Sequence, residues 1–254
     1  MIHFEARRWT RSRRLVIVCA AFAFAGMSAP LVAAYAEQIL GAVQPSSNVS
    51  ILVEDPTWRD GIASYLQNAA QLSLLVACYV VAWACALGSD ERLQIFYRSR
   101  ATQRWHLFLP RLIMSGLCVC VAASLGGLLA FYEVMVLFDG NDPARMLLVL
   151  TVQSTGLVTV ALLAGLGAVL TNAPVVSALT TYFVVFFLDL FRDVSIVSDW
   201  TPIALLRPEP LLEQSPMSDY LRPGLAALAL LAVTTSIALT RPVRATPHVN
   251  RSDR

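Results

Sequence analysis

The run from Met146 to Leu170, MLLVLTVQSTGLVTVALLAGLGAVL, contains no charged residue. A helix of about 20 apolar residues crosses the hydrocarbon core of a bilayer, which is about 30 Å thick. In lipid the run must be helical, because an exposed strand edge would leave backbone groups unpaired. The stretch therefore predicts a transmembrane helix, and the fold depends on how often this pattern recurs.

Five further apolar runs occur along the chain. Their ranges are 15–36, 69–88, 112–138, 175–191 and 224–240. The first three are long enough to span a bilayer, and the last two are near the lower limit of about 17 residues but extend into apolar flanks. We therefore predict an all-α membrane protein with six transmembrane helices in a single domain, residues 1–254, with 146–170 as the fourth span.

The composition agrees with a membrane protein. Hydrophobic residues make up 57% of the chain and charged residues 14%, which is too apolar for a surface that faces water. All basic residues are arginine and none is lysine. A phosphate-binding loop of the G-x-x-x-x-G-K-[ST] type requires lysine, so we expect any ATP-driven work to use an ATPase partner.

Arginine placement predicts the orientation, because basic residues beside a span resist translocation. With six spans, the two termini, the 89–111 loop and the 171–174 turn share one side. That side carries Arg7, Arg8, Arg11, Arg13, Arg14, Arg92, Arg98, Arg100, Arg104, Arg111, Arg241, Arg244, Arg251 and Arg254. The other side carries Arg59, Arg145, Arg192, Arg207 and Arg222. Both termini are therefore predicted to be cytoplasmic.

The first span has a competing interpretation. Arg13-Arg14 precedes an apolar run that ends in Ala34-Tyr35-Ala36, which resembles a signal peptide with an A-x-A cleavage site. The apolar core of a signal peptide has about 7–15 residues, and this run is longer. We therefore favour a retained helix, while cleavage would leave five spans.

No metal site is predicted. All five cysteines lie within apolar runs, where cysteine usually behaves as a small apolar residue. They are Cys19, Cys78, Cys85, Cys118 and Cys120. A soft-metal site formed by the 78/85 pair or the 118/120 pair is the alternative.

The segment Asp90–Arg111, DERLQIFYRSRATQRWHLFLPR, combines an apolar stripe with concentrated positive charge. The stripe residues Leu93, Tyr97, Ala101, Trp105 and Phe108 recur at three- or four-residue steps, as in an amphipathic helix. Such a helix lies in lipid headgroups or inserts into a groove of a cytoplasmic protein. The alternative is a solvated basic loop that only sets the topology.

Two parts of this segment resemble a known family. Phe96-Tyr97-Arg98-Ser99-Arg100 and Leu107-Phe108-Leu109-Pro110-Arg111 are similar to actinobacterial permeases of the type 2 ATP-binding-cassette (ABC) exporters. The amphipathic stretch His3–Arg14 and the proline-rich stretch 199–223 are also similar to family features. The latter implies short helices at the outer membrane surface before the last span.

The resemblance implies a cytoplasmic coupling helix that docks on an ATPase. The implied coupling residues are Phe96, Tyr97, Arg98, Arg100, Arg104 and Trp105. It also implies a permease subunit in the bacterial cell membrane, surrounded by lipid, that dimerises with a second copy or a paralogue. The cargo would be a hydrophobic or amphiphilic solute, such as a drug or lipid-like compound. The chain itself would bind no cofactor, since ATP and Mg²⁺ would bind to the cytoplasmic ABC subunits, and no nucleic acid is expected.

Two carboxylates, Glu133 and Asp189, lie near the outer ends of predicted spans. Ionisable groups at membrane depth are costly and are candidate functional residues. If both face a translocation path, they favour a cationic or amphiphilic cargo near its exit. Interfacial ion pairs with Arg145, Arg192 or Arg222 are the alternative.

Two other functions stay open. One is an intramembrane enzyme that uses Glu133 and Asp189 as an acid–base pair, although the sequence shows no accompanying nucleophile or metal-ligand motif. The other is a membrane scaffold whose basic face binds anionic lipid or a partner.

The first outer loop, Glu37–Asn68, contains an apolar stripe of Trp58, Ile62, Tyr65 and Leu66. This stripe is predicted to rest on the outer headgroups.

Overall fold

The structure, a computed structural model, describes residues 2–36, 38–39, 56–86, 104–192, 194–213 and 215–240. In these ranges the regular structure is helical and no strand occurs, which confirms the all-α prediction for them. The α-helices are α1 (Ile2–Arg11), α2 (Arg14–Ala34), α3 (Trp58–Asn68), α4 (Leu74–Cys85), α5 (Arg104–Leu137), α6 (Pro143–Thr171), α7 (Pro174–Asp189), α8 (Ser195–Trp200) and α9 (Leu221–Thr240). A π-helical turn, Ala69–Ser73, joins α3 to α4, and the 3-10 turns Pro202–Leu205, Glu209–Glu213 and Met217–Tyr220 separate α8 from α9.

Five helices are long and apolar enough to cross a membrane, as a multi-pass membrane protein requires. They are Arg14–Ala34, Trp58–Cys85, Trp105–Leu137, Pro143–Thr171 and Met217–Ala238. The fifth predicted span, 175–191, corresponds to α7, which is apolar but has 16 residues. At about 1.5 Å per residue, α7 is about 24 Å long. A sixth span therefore stays a prediction.

The second long helix corrects the interpretation of the first outer loop. It begins at Trp58, eleven residues before the predicted start at 69, because α3 continues through the π turn into α4. The side chains of Trp58, Ile62, Tyr65 and Leu66 are buried in the protein. The prediction that this stripe rests on lipid headgroups is wrong, since helical periodicity identifies an apolar face but not the surface that covers it.

Capping interactions that include an aspartate set the starts of two helices. At α3, the Thr57 amide donates to Asp60 Oδ2 over 2.8 Å, which completes a capping box. At α6, Asp142 Oδ1 accepts from the Arg145 amide over 3.2 Å, and Pro143 occupies the first helical position. These local signals explain why each helix begins several residues before its apolar run.

Hydrogen bonds between spans show that α2 and the second long helix run antiparallel. Ser73 Oγ donates to the Ala21 carbonyl over 3.2 Å, and Ser64 Oγ donates to the Ala29 carbonyl over 3.1 Å. As the residue number rises along α2, it falls along its partner. Both donors are hydroxyl groups, which in lipid bond a neighbouring helix because water is absent.

The pair α2 and α5 crosses with the two backbones in contact. A Cβ atom on Gly126 would lie 2.6 Å from the Phe22 carbonyl oxygen, and one on Gly26 would collide with the Gly126 carbonyl. A Cβ on the neighbouring Gly127 would instead meet Leu150 at an ordinary 3.6 Å. Small residues at such a crossing let helices approach closely in lipid.

Helix α6 lies at the centre of the bundle and packs against α4, α5, α7 and α9. Its contact with α7 includes a hydrogen bond of 2.7 Å from Ser177 Oγ to the Ala164 carbonyl. We call the end of the bundle with the starts of α2 and α5 the N-terminal end. The end with the start of α6 and the end of α7 is the opposite end.

The segment between α7 and α9 contains short helical pieces, as the family resemblance implies. Five of its apolar side chains are buried, which places part of the segment inside the bundle rather than on its surface. They are Ile203, Leu205, Leu206, Leu211 and Leu212. The segment is also tied to the start of α6, because Arg145 Nη1 donates to the Leu212 carbonyl over 3.5 Å.

Candidate functional site

A cavity of about 540 Å³ lies at the opposite end, between the end of α7 and the short helical pieces. Its volume falls within the range of small-molecule sites, about 300–1,000 Å³. The lining residues are Asp189, Arg192, Asp199, Ile203, Ala204, Arg207, Glu209, Pro210, Glu213, Ser215, Asp219 and Tyr220. We call this space the outer cavity.

Negative charge exceeds positive charge in the outer cavity, since five carboxylates face two guanidinium groups. Arg207 Nη2 lies 3.4 Å from Asp189 Oδ2, and Arg192 Nη1 lies 3.5 Å from Glu209 Oε2. These two pairs use both arginines of the lining. The acidic surplus makes the cavity suited to a group that carries positive charge.

A second cavity of about 20 Å³ adjoins the first. It is lined by Ala70, Gln71, Tyr182, Val185, Phe186, Asp189, Leu206 and Arg207. This inner cleft therefore lies between the π turn, α7 and the residues that follow the first 3-10 turn. Asp189 and Arg207 line both spaces.

Gln153 of α6 fixes the short helical pieces against the bundle. Its buried Nε2 donates to the Leu66 carbonyl over 2.7 Å and to the Leu206 carbonyl over 3.2 Å. One turn further along, a Cβ on Gly156 would lie 2.8 Å from the Leu205 carbonyl oxygen, so only glycine lets this backbone approach. Together these contacts position the residue that follows, Arg207.

A buried ion pair connects helices at the N-terminal end. Arg111 Nε of α5 donates to Glu5 Oε1 of α1 over 3.3 Å, and Arg111 Nη1 donates to the Ala86 carbonyl over 3.1 Å. Trp9, one turn after Glu5, is also buried. Arg111 thus joins α1 and α5 to the residue that follows α4.

The predicted coupling residues fall mostly outside the part of the chain that the structure describes. Phe96, Tyr97, Arg98 and Arg100 lie in the range 87–103, which it does not cover. Arg104 is the first residue of α5. The Trp105 side chain is exposed, and its ring centroid lies 3.8 Å from that of His106.

The two predicted path residues are not brought together in one cavity. Asp189 lines both the outer cavity and the inner cleft, whereas Glu133 is partly exposed on α5 and is not among the residues that line either space. The ion-pair partner of Asp189 is Arg207, which the sequence interpretation did not consider. That choice depends on the fold of the segment after α7, which sequence spacing does not reveal.

Two further residues were missed. Gln153 is a polar side chain inside the apolar run 146–170, and a buried amide in such a run signals contact between helices. Arg207 lies in a proline-rich segment and carries no comparable signal. Within the described ranges, no group of three His, Cys, Asp or Glu side chains is placed to hold a metal ion.

The chain was compared with known proteins. No protein-family model, no curated protein and no solved structure matches it.

Proposed function

We propose that the chain is the membrane-spanning permease subunit of an ATP-driven ABC exporter, in line with its resemblance to type 2 permeases. Its six spans would place both termini in the cytoplasm of a bacterial cell. ATP and Mg²⁺ bind to separate ABC ATP-binding subunits, and a second permease copy or a paralogue completes the dimer. The cargo is a hydrophobic or amphiphilic solute.

The observation that carries the proposal is the buried contact of Arg111 with Glu5 and the Ala86 carbonyl. The segment 90–111, to which coupling is assigned, runs into α5 at Arg104. Because packed interiors transmit displacement rather than absorb it, a movement of this segment shifts α5, α1 and the end of α4 together. An ATPase that pulls on the segment therefore acts on three elements of the bundle.

The outer cavity supports the same function from the other end. It lies at the end of α7, and its acidic surplus favours a cationic or amphiphilic cargo. Asp189 is the path residue that lines it, and Glu133 provides a carboxylate elsewhere for comparison. In vesicles that export a fluorescent organic cation, Asp189→Asn should slow export more than Glu133→Gln does.

Co-purification tests the subunit assignment. The chain is co-expressed with each ABC ATPase of its genome in turn and purified in mild detergent, and the retained ATPase is quantified. Arg98→Glu with Arg100→Glu should abolish retention, because reversed charge in the coupling segment repels its docking site.

The matched control reverses two arginines of the C-terminal tail, Arg251→Glu with Arg254→Glu. The net charge change is the same, and retention should be unaffected. Equal losses in the two double variants, or no ATPase retained by the unaltered chain, would contradict the assignment.

A further inference from the structure

The outer cavity and the inner cleft meet at one ion pair. Asp189 and Arg207 line both spaces, and their charged atoms lie 3.4 Å apart. We propose that this pair is a gate, which separates the two spaces when it is formed and joins them when it breaks. The gate concerns the same cavity as the proposed function, on which its role in export rests.

Opening would extend the outer cavity inward along α7. Beyond the pair, the cleft is lined mainly by apolar side chains, with Gln71 and Tyr182 as its other polar residues. Its present volume, about 20 Å³, is close to the minimum for one water molecule. The cleft therefore has no room for a solute larger than water as it stands, and a solute that comes from the outer cavity must pass the pair.

The part of the gate that moves is the Arg207 side chain. The backbone beside it is fixed, because the Leu206 carbonyl accepts from Gln153 and Leu205 packs on Gly156. The guanidinium can rotate while its backbone stays in place. The outer cavity offers it other carboxylates, among them Glu209 and Glu213.

The ion pair is suited to opening because it is only partly buried and lines a cavity. The Arg207 and Asp189 side chains are 14% and 22% exposed, and partly exposed ion pairs contribute little stability. Separation therefore requires no large rearrangement of the bundle.

Cysteine labelling tests the gate without ATPase or cargo. The five native cysteines are replaced, and a single reporter is introduced either in the cleft, Gln71→Cys, or in the outer cavity, Ser215→Cys. The protein is labelled in lipid nanodiscs with a water-soluble, membrane-impermeant thiol reagent. The measured quantity is the labelling rate of the cleft cysteine divided by the labelling rate of the cavity cysteine. This ratio corrects for the reagent's affinity for the cavity.

Asp189→Asn and Arg207→Gln should each raise this ratio, by up to about fivefold if the pair has the strength usual for exposed pairs. The two substitutions change the local charge in opposite directions, so a purely electrostatic effect would move the ratio in opposite directions. Arg192→Gln is the matched control, since it breaks the other cavity pair and should leave the ratio unchanged.

An unchanged ratio in both gate variants, shifts of opposite sign, or an equal rise in Arg192→Gln would overturn the proposal. If the Arg207→Gln variant does not fold, the Asp189→Asn variant alone tests the proposal. This variant should fold, because asparagine has nearly the same shape as aspartate. A failed gate leaves ATPase retention unaffected, so this result and the subunit assignment are judged separately.

Discussion

The two ends of the bundle each carry an arginine–carboxylate pair of nearly equal length in very different surroundings. Arg111 and Glu5 lie 3.3 Å apart with side chains 1% and 9% exposed. Arg207 and Asp189 lie 3.4 Å apart, more exposed and beside an open cavity. Distance alone does not distinguish these pairs, whereas burial does.

Burial decides what each pair does. Breaking a buried pair leaves a charge that neither water nor protein compensates, so it resists separation. Opening an accessible pair changes the free energy of the protein little. The N-terminal pair therefore acts as a permanent junction between helices, and the pair at the opposite end is free to change. Substitutions can test this contrast, and those with the largest expected effects come first.

Arg111→Met should lower the free energy of unfolding in detergent by up to about 3–5 kcal/mol, because buried Glu5 then keeps only the more exposed Arg8 of these two ion-pair partners. Chemical denaturation followed by tryptophan fluorescence measures it. Arg8 provides the control, since it also contacts Glu5, at 3.4 Å, but from an accessible position. Arg8→Met should cost less than about 1 kcal/mol, and equal losses would show that burial is not what separates these pairs.

Gly126→Ala tests the crossing that joins the two ends along α2 and α5. The added methyl group would lie 2.6 Å from the Phe22 carbonyl oxygen, so the helices must separate, at a cost of about 1–3 kcal/mol. Gly127→Ala is the same substitution one residue further along, where the space is ordinary. Thermal unfolding should show a large decrease in the first variant only; similar decreases would indicate a general intolerance of α5 to alanine.

Gln153→Met tests whether hydrogen bonds, rather than charges, secure the opposite end. The side chain keeps its length but no longer donates to the Leu66 and Leu206 carbonyls, which should cost about 1–3 kcal/mol. Hydrogen exchange should speed up in residues 202–213. In Ser154→Ala, which removes only a local bond to Leu150, exchange there should match the unaltered chain, and no difference between the two variants would argue against this contact.

Arg207→Gln should have the smallest effect on stability, below about 1 kcal/mol. Measured by the same denaturation as Arg111→Met, it compares the two ends directly. A loss as large as that of Arg111→Met would mean that the pair at the cavity is structural and would remove the contrast.

Much of the helix content was predictable because a long apolar run can satisfy its backbone groups in lipid only as a helix. A run such as 146–170 must be helical in lipid and must be about this long, and α6 covers it with three residues before and one after. The helical stripe that begins at Trp58 was recognised, but its continuation into the second long helix was missed because the stripe is amphipathic rather than uniformly apolar. The residue pattern of such a face is the same whether lipid or protein covers it.

The candidate site was less predictable than the helices. Asp189 stood out because a carboxylate near membrane depth is rare, but its partner, Arg207, comes from a segment with no regular period. Glu133 stood out for the same reason, yet it does not line the cavity. Depth along a helix follows from residue number, whereas the direction in which a side chain points depends on how the helix is rotated within the bundle.

The approximate positions of the long apolar helices follow from the sequence, since hydrophobic length is a local property of each segment. Which charges meet follows from the packing of the helices instead. Glu5 and Arg111 are 106 residues apart, and their contact depends on how α1 folds back onto α5. The junction at one end and the accessible pair at the other therefore arise from packing, because burial belongs to the assembled bundle and not to any single helix.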